Sequence, residues 1–289
     1  MKLRSLLLLI LLAAIWGGSF LFIRMSVGFF GPVPLTASRS LIAACTLLPL
    51  VLIKGEWPVF RQYWRHLLVL GLISTALPFS LLSISTQYTS AGFASILNAF
   101  TPVFSAIIAW LWIKEYMSVP TMIGIGVSFI GLLVMVLDRD TINTSFPLLP
   151  IMAGMGATFL YGLTGNYSRR FLAGLSPLVV SAGSQVFSAL CLLPVAYLQW
   201  PAAPVPAAGW LIVCVLGVLC TGTAYIIYFH LLATIGVTRT VIVTYLSPVF
   251  AMLWGFMFLS ETVTIKMLIG AGCIMLGIGL TTYRPKAFR

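Results

Sequence analysis

The sequence predicts an all-α integral membrane protein in which ten transmembrane helices form two inverted five-helix repeats. Three observations lead to this prediction. Hydrophobic residues make up 61% of the 289 residues and charged residues only 7%, whereas about a quarter of the residues of a soluble protein are charged. The apolar residues fall into runs of about 20 residues, the length at which a helix spans a bilayer. Landmarks in the first half of the chain recur in the second half.

Short loops join the ten predicted segments, so the chain has no room for a folded soluble domain. The first segment also has the basic start and apolar centre of a secretory signal peptide. We interpret it as a transmembrane helix, because cleavage would remove a segment that the second half repeats. The segments run from Ser5 to Phe22, Val33 to Ile53, His66 to Thr86, Ala91 to Ile113, Val119 to Leu137, Pro147 to Asn166, Ser176 to Leu198, Ala207 to Leu231, Val237 to Leu259 and Thr264 to Thr282.

The net charge of +11 is explained by membrane topology and gives no support to nucleic-acid binding. If the amino terminus is cytoplasmic, most lysines and arginines fall on the inner side, and only Arg24, Arg139 and Lys266 fall on the outer side. Because positive residues concentrate in cytoplasmic loops, both termini are predicted to be cytoplasmic. The five cysteines fall inside the segments without a CxxC or Cys/His cluster, so neither a disulfide framework nor a metal site is predicted.

The two halves share landmarks at a nearly constant offset. Each half contains a hydroxyl-bearing residue followed by proline, then a glutamate, then three glycines in the next apolar run. We therefore predict two homologous repeats, residues 1–140 and 141–289. Since each has five segments, the second must cross the membrane in the opposite direction, as in many secondary transporters. The equivalent pairs are Thr101 and Ser247, Pro102 and Pro248, Glu115 and Glu261, Gly124 and Gly270, Gly126 and Gly272, and Gly131 and Gly277.

Pro102 and Pro248 lie near the middle of the fourth and ninth segments. A proline inside a helix displaces the carbonyl four residues earlier, here those of Asn98 and Thr244. In lipid, a displaced carbonyl is repaired locally or lines a wet cavity. The hydroxyl of the residue before each proline can repair it, which would leave only a packing kink. Because the feature recurs in both halves beside polar side chains, we favour a helix pair that faces a substrate cavity.

Arg39 lies about six residues into the second segment. A charged side chain inside a span costs roughly 2.5–3.5 kcal/mol on insertion scales, and no predicted segment contains a carboxylate to pair with it. Two interpretations stay open at this point. The side chain either snorkels to the outer face towards Glu261, or it is a cationic anchor for a substrate carboxylate or phosphate.

Three further ionisable residues are candidates for coupling. Glu115 and Glu261 each fall at the junction before the next helix, where a carboxylate stabilises the positive helix end. We interpret both as helix-end residues in preference to proton carriers. His230, near the end of the eighth segment, has no acidic neighbour in the sequence, and we interpret it as a packing residue in preference to a proton relay.

The stretches AAIWGGSFLFIR, TPVFSAIIAWLWIKE and SPVFAMLWGFMFLSE, with the two five-segment halves, resemble the EamA-type family of the drug/metabolite transporter superfamily. The resemblance covers essentially the whole chain, with one family unit in each half. It implies a ten-helix inverted-repeat fold in the inner membrane and the export or exchange of small metabolites such as amino acids. Tyr161 stands where the family is expected to have tryptophan. The residues that match family-typical positions are Trp16, Thr101, Pro102, Glu115, Ser247, Pro248 and Glu261.

These observations predict a secondary transporter in the inner (plasma) membrane that moves a small organic solute by alternating access. A passive facilitator or channel and a flippase-like component for lipid-linked substrates are the alternatives. No enzyme activity, cofactor, metal or nucleic-acid partner is predicted, because the chain has no nucleophile–base pair and no P-loop. The partners are the solute and the bilayer, and exchange and facilitated efflux both stay open. The predicted cavity residues are Trp16, Arg39, Asn98, Thr101, Pro102, Tyr161, Gln185, Thr244, Tyr245, Ser247 and Pro248.

Overall fold

The computed structural model describes residues 3–114, 116–136, 148–236, 240 and 242–282. Within these residues the fold is helical, and nine helices are long and apolar enough to cross a membrane, with α11 as a shorter apolar helix. The prediction of ten spanning helices is confirmed. The helices are α1 (Leu3–Phe30), α2 (Pro32–Ile53), the short α3 (Trp57–Gln62), α4 (Trp64–Tyr88), α5 (Ala91–Ile113), α6 (Val119–Val136), α7 (Leu148–Phe171), α8 (Pro177–Leu198), α9 (Ala207–Cys214, Val215–Thr223 and Ala224–Ile235 in succession), α10 (Ile242–Leu259) and α11 (Ile265–Thr282).

Helix α1 is longer than its apolar run predicts. It continues past Phe22 to Phe30, and only Gly31, with a φ of 78°, separates it from α2. Arg24 therefore lies inside a helix, where the sequence predicts an outer loop. Its guanidinium Nη1 donates hydrogen bonds to the carbonyls of Thr86 and Gln87 at the end of α4, so neutral backbone acceptors hold the side chain in place.

Two equivalent helix crossings join the two halves. Helix α1 of the first half crosses α10 of the second, and α7 of the second half crosses α5 of the first. A Cβ added to Gly17 of α1 would lie 2.7 Å from the Ser247 carbonyl oxygen of α10, and a Cβ added to Gly162 of α7 would lie 2.7 Å from the Ser105 nitrogen of α5. Gly17 follows Trp16 and Gly162 follows Tyr161 at matching positions of the two repeats, so the same close crossing is built twice. Small residues allow helix backbones to approach in a membrane, and here they join each half to the other.

A second pair of glycines extends this symmetry to four more helices. Gly71 of α4 packs against the backbone of α8 at Ser184, and Gly217 of α9 packs against the backbone of α2 at Arg39. A π-helical stretch follows or contains each glycine, at Leu72–Ala76 and Val215–Thr223. The halves therefore share a local irregularity as well as helix order, and π-helical turns are frequent at functional sites.

Helices α5 and α10, which carry the duplicated prolines Pro102 and Pro248, end in the same way. Lys114 follows α5 with a φ of 60°, and Ser260 follows α10 with a φ of 53°. This left-handed conformation is uncommon for residues other than glycine, asparagine and aspartate. It terminates each helix immediately before the position of Glu115 or Glu261 in the sequence, so the two repeats share this helix ending.

Helices α6 and α11 cross at two glycine pairs. A Cβ on Gly124 would collide with the Gly277 carbonyl oxygen, and one on Gly131 would lie 2.6 Å from the Gly270 carbonyl oxygen. A Cβ on Gly126 would meet no heavy atom within 4 Å. The repeated glycines thus differ in role, because Gly124 lies in the helix crossing and Gly126 faces away from it.

We predict that Gly124→Ala lowers the melting temperature in detergent. A methyl group would overpack the helix crossing, which lowers the free energy of unfolding by about 1–3 kcal/mol. Gly126→Ala is the matched control and should leave the melting temperature unchanged or higher, since alanine favours helix by up to about 1 kcal/mol. Thermal unfolding followed by tryptophan fluorescence measures both. Equal losses in the two variants would contradict the assignment of the crossing.

Candidate functional site

A cavity of about 360 Å³ lies between the two halves. Helices α1, α2, α4 and α5 of the first half and α7, α9 and α10 of the second half supply its walls. Both prolines of the duplicated motif are at its surface, together with their neighbouring polar residues. The sequence-predicted residues that line it are Trp16, Arg39, Asn98, Thr101, Pro102, Tyr161, Thr244, Ser247 and Pro248.

The structure places Gln185 and Tyr245 away from this lining. Gln185 is fully buried between α8 and α4, and its Nε2 donates a hydrogen bond of 3.5 Å to the Thr75 hydroxyl. Tyr245 packs against the apolar core formed by α5, α6 and α11. It follows Thr244, and one step along an α-helix turns the side chain by about 100°, so only Thr244 of the two reaches the cavity.

The two proline sites have different backbone structures. In α5 the helix is interrupted for two residues after Asn98, and the Thr101 hydroxyl donates a hydrogen bond of 2.8 Å to the Asn98 carbonyl. This is the predicted local repair. In α10 the helix is continuous, and the Ser247 hydroxyl bonds to the Val243 carbonyl at 2.9 Å. The prediction that Ser247 repairs the Thr244 carbonyl is wrong, because a serine in a continuous helix bonds to the carbonyl four residues earlier.

The break in α5 leaves a polar group without a partner at the cavity. The Asn98 side-chain oxygen Oδ1 is buried, and within the described residues it accepts no hydrogen bond. A buried polar atom without a partner is costly, and native structures keep few of them. Because Asn98 lines the cavity, Oδ1 can accept a hydrogen bond from a ligand there.

Arg39 lies inside the protein and points to the cavity. The side chain is 6% exposed, its Nε donates a hydrogen bond of 3.0 Å to the Thr221 hydroxyl, and its guanidinium carbon lies 4.1 Å from the ring centroid of Phe79. Because the guanidinium is buried and held by these contacts, it does not snorkel to the outer face. The cation is therefore oriented by one hydroxyl and one aromatic face.

The π-helical stretch of α9 positions the hydroxyl that orients Arg39. The Thr221 hydroxyl donates a hydrogen bond of 2.9 Å to the Leu216 carbonyl, five residues earlier. Five-residue spacing is the spacing of a π-helix. Because the hydroxyl hydrogen is used in this bond, the oxygen can accept the Arg39 Nε hydrogen.

Aromatic side chains form much of the remaining wall. The ring of Trp16 lies 5.3 Å from that of Tyr228 and 6.5 Å from that of Tyr225 between centroids, and Tyr161 lies 6.4 Å from Phe79. The second half thus supplies three phenols to the cavity. At the equivalent positions the first half supplies Trp16, Phe79 and Leu82, so the two walls differ in polarity.

Sequence reasoning did not include Phe79, Thr221, Tyr225 or Tyr228 among the cavity residues. A signal for them was present, because Phe79 and Tyr225 are related by the offset that relates Thr101 to Ser247. Extending that register through the third and eighth segments would have selected the aromatic positions. Apolar residues such as Phe79 carry no signal by themselves in a chain of this composition.

Glu261 caps a helix, but a different helix from the predicted one. Both carboxylate oxygens lie 3.0 Å from the backbone nitrogen of Ala91, at the first residue of α5. The sequence predicts stabilisation of the following helix, α11. Burial raises the pKa of Glu261, while the backbone N–H of Ala91 and the charge of Arg24 act in the opposite direction. Arg24 and Glu261 therefore hold the turn between α4 and α5 from both sides.

Of the other two coupling candidates, only His230 lies within the described residues. His230 is exposed on α9 and is absent from the lining. Glu115 lies outside the described residues. Its role as a helix-end residue stays a prediction from the repeat.

Comparison with known proteins gives a family match in both halves. The model of the EamA-like transporter family matches residues 3–137 and again residues 148–283. An uncharacterized transporter of Archaeoglobus fulgidus is 28% identical over 96% of this chain and 96% of the relative. A probable terminal-alkyne amino-acid exporter of Streptantibioticus cattleyicolor is 24% identical over 96% of this chain and 92% of the relative.

A solved structure has the same fold. One crystal structure superposes with a TM-score of 0.66 and covers 98% of this chain and 97% of the other, at 17% sequence identity. At this identity the likeness concerns the arrangement of the helices only.

We predict that Glu261→Ala destabilises the protein by about 1–2 kcal/mol, since the Ala91 N–H loses its acceptor. Glu261→Gln keeps an acceptor and should lose much less.

Because the folded-state pKa of Glu261 is raised, its contribution to stability is largest below the usual carboxyl pKa and declines as pH rises through the raised value. Melting temperatures across pH measure both effects. Equal losses in the two variants at neutral pH would contradict the acceptor role.

Proposed function

The chain belongs to the EamA-like transporter family, whose members are membrane transporters and not enzymes, and we propose that it is a secondary transporter for a small organic solute. In this proposal the two halves move relative to each other and expose the cavity to each side of the membrane in turn. The observation that carries the proposal is the position of the cavity between the halves, at the duplicated proline sites. Binding sites of inverted-repeat transporters lie near mid-membrane at the repeat interface.

The size and lining of the cavity favour a small metabolite. Its volume of about 360 Å³ lies within the range of roughly 300–1,000 Å³ that small-molecule sites occupy. Within the described residues, the lining contains aromatic, hydroxyl and amide side chains and one cation, Arg39, with no aspartate or glutamate. An uncompensated buried charge is costly. The lining therefore favours a solute that carries one anionic group.

We propose that the anionic group is a carboxylate bound by Arg39. The contacts with Thr221 and Phe79 orient the guanidinium, and a planar fork of N–H donors matches a carboxylate. The acceptor Asn98 Oδ1 would suit a donor such as an ammonium group. The relative described as an amino-acid exporter supports an amino acid or a similar solute, moved outwards or by exchange.

We also propose an orientation in the membrane. The chain is a multi-pass membrane protein, and its family is consistent with the plasma membrane. The excess of lysine and arginine in one set of loops supports cytoplasmic termini. The repeats proposed from the sequence, residues 1–140 and 141–289, would then be the two bodies that move during transport.

We predict that Arg39→Gln reduces counterflow of a transported amino acid at least tenfold, because a hydrogen bond to a charged group contributes about 1.5–3 kcal/mol. Arg39→Lys keeps the charge without the fork and should give an intermediate rate. The measurement is uptake and counterflow of a radiolabelled amino-acid panel in proteoliposomes. Arg61→Gln is the matched control, because Arg61 is an exposed cation on α3 and should not affect transport.

The same measurement separates the alternatives. A channel or passive facilitator without alternating access would give flux without counterflow. A flippase-like protein would move none of the water-soluble panel and would translocate a labelled lipid instead. Counterflow that is unchanged in Arg39→Gln would show that the cation does not bind the solute.

A further inference from the structure

The ends of α4, α5 and α7 carry a group of aromatic rings and a cation that lies outside the cavity. We call it the helix-end cluster, and it consists of Tyr63, His66, Trp112, Tyr167, Arg170 and Phe171. The ring of His66 stacks on Phe171 with centroids 5.4 Å apart, and the ring of Trp112 lies 6.3 Å from that of Phe171 between centroids. The cluster therefore joins the start of α4 and the end of α5, both in the first half, to the end of α7 in the second half.

Hydrogen bonding and ring contacts order one side of this cluster. The His66 Nδ1 and the Tyr167 hydroxyl are 2.8 Å apart. Tyr167 also lies 4.8 Å from Phe171, and Tyr63 lies 6.4 Å from His66, between ring centroids. The rings thus form a continuous surface whose polar atoms lie at helix ends, as expected for aromatic residues at a membrane–water interface.

Arg170 lies over two rings of the cluster, those of Trp112 and Phe171. Its guanidinium carbon is 5.4 Å from the ring of Trp112 and 5.4 Å from the ring of Phe171. Cation–π contacts of this kind favour a defined position of the cation. Arg170 is nevertheless exposed, so the contacts orient the guanidinium and leave its N–H donors accessible.

Further cations lie at the same helix ends. Arg65, Lys114 and Arg169 are exposed, and Arg65 is next to His66 of the cluster. With Arg170, these helix ends carry four cations. Glu115, next to Lys114 in the sequence, is the carboxylate of these stretches. The surface around the helix-end cluster is therefore strongly positive, and an anion is the complementary ligand.

An apolar surface leads from the cluster towards the middle of the membrane. Trp110, Leu111 and Phe159 are exposed by 50%, 55% and 46%, and Phe159 packs edge to face against Phe104 across α5 and α7. Phe159 lies twelve residues before Phe171 on α7, or roughly 18 Å along the helix axis. This is close to the thickness of one leaflet's hydrocarbon, about half of the ~30 Å core.

We propose that the helix-end cluster binds the headgroup of an anionic phospholipid, with an acyl chain along the surface between α5 and α7. Arg170 contacts the phosphate, and the neighbouring cations add to the attraction. Basic pockets between transmembrane helices bind acidic headgroups by the same charge complementarity. Because the cluster joins helices of both halves, a lipid bound there stabilises their contact at this membrane surface. This site is separate from the solute cavity.

The test compares the full chain in nanodiscs of phosphatidylcholine with nanodiscs that contain one fifth phosphatidylglycerol of the same acyl composition. We expect phosphatidylglycerol to raise the melting temperature of the wild type. Arg170→Gln should lose most of this increase. Arg61→Gln removes the same charge from an exposed position in α3, outside the cluster, and should keep the increase. Native mass spectrometry should show a phosphatidylglycerol molecule retained by the wild type and by Arg61→Gln.

Three results would overturn the proposal. The first is an equal melting temperature of the wild type in the two lipid mixtures. The second is an equal loss in Arg170→Gln and Arg61→Gln, which would indicate general surface charge. The third is a full increase with inorganic phosphate in pure phosphatidylcholine, which would indicate a soluble anion. If Arg170→Gln does not fold, Lys114→Gln serves as the second variant, because Lys114 is one of the cations beside the cluster, and a partial loss is expected.

Discussion

A lipid environment offers the backbone no hydrogen-bond partner, and this constraint acts on every helix of the chain. Helix ends and helix breaks must find acceptors and donors within the protein. Arg24 satisfies carbonyls at the end of α4, and Glu261 satisfies an N–H at the start of α5. Thr101 repairs the carbonyl that the break before Pro102 displaces. These three side chains therefore act where helices end or break.

The same constraint explains why the cavity lies at the break in α5. An interrupted backbone is tolerated in a membrane where it faces protein or a wet cavity, and the α5 break does both. Duplication adds the second proline site, Pro248 of α10, to the lining of the same cavity. The halves have since diverged in detail, because α10 remains continuous at Pro248 and Arg39 has Ser184 as its equivalent. The cavity therefore has walls from equivalent helices of both halves, and Arg39 of the first half places a cation on one of these walls.

The membrane class, the helices and the paired prolines could be predicted from the sequence, because each depends on local composition or on the repeat. Partners across the fold could not. The acceptors of Arg24 and the helix that Glu261 caps belong to distant segments, and only packing brings them together. Gln185 shows the same limit. Its polarity suggests a cavity residue, but the contact of Gly71 with α8 directs it towards Thr75.

The central claim is that two copies of one five-helix unit cross the membrane in opposite directions and enclose the cavity between them. The most direct measurement is a pair of topology reporters in equivalent loops, one at Gly55 and one at Ala203. Alkaline phosphatase is active only outside the cytoplasm, and green fluorescent protein is fluorescent only inside it. We expect the reporter at Gly55 to be cytoplasmic and the reporter at Ala203 to be external. The same side for both positions would contradict the inverted arrangement.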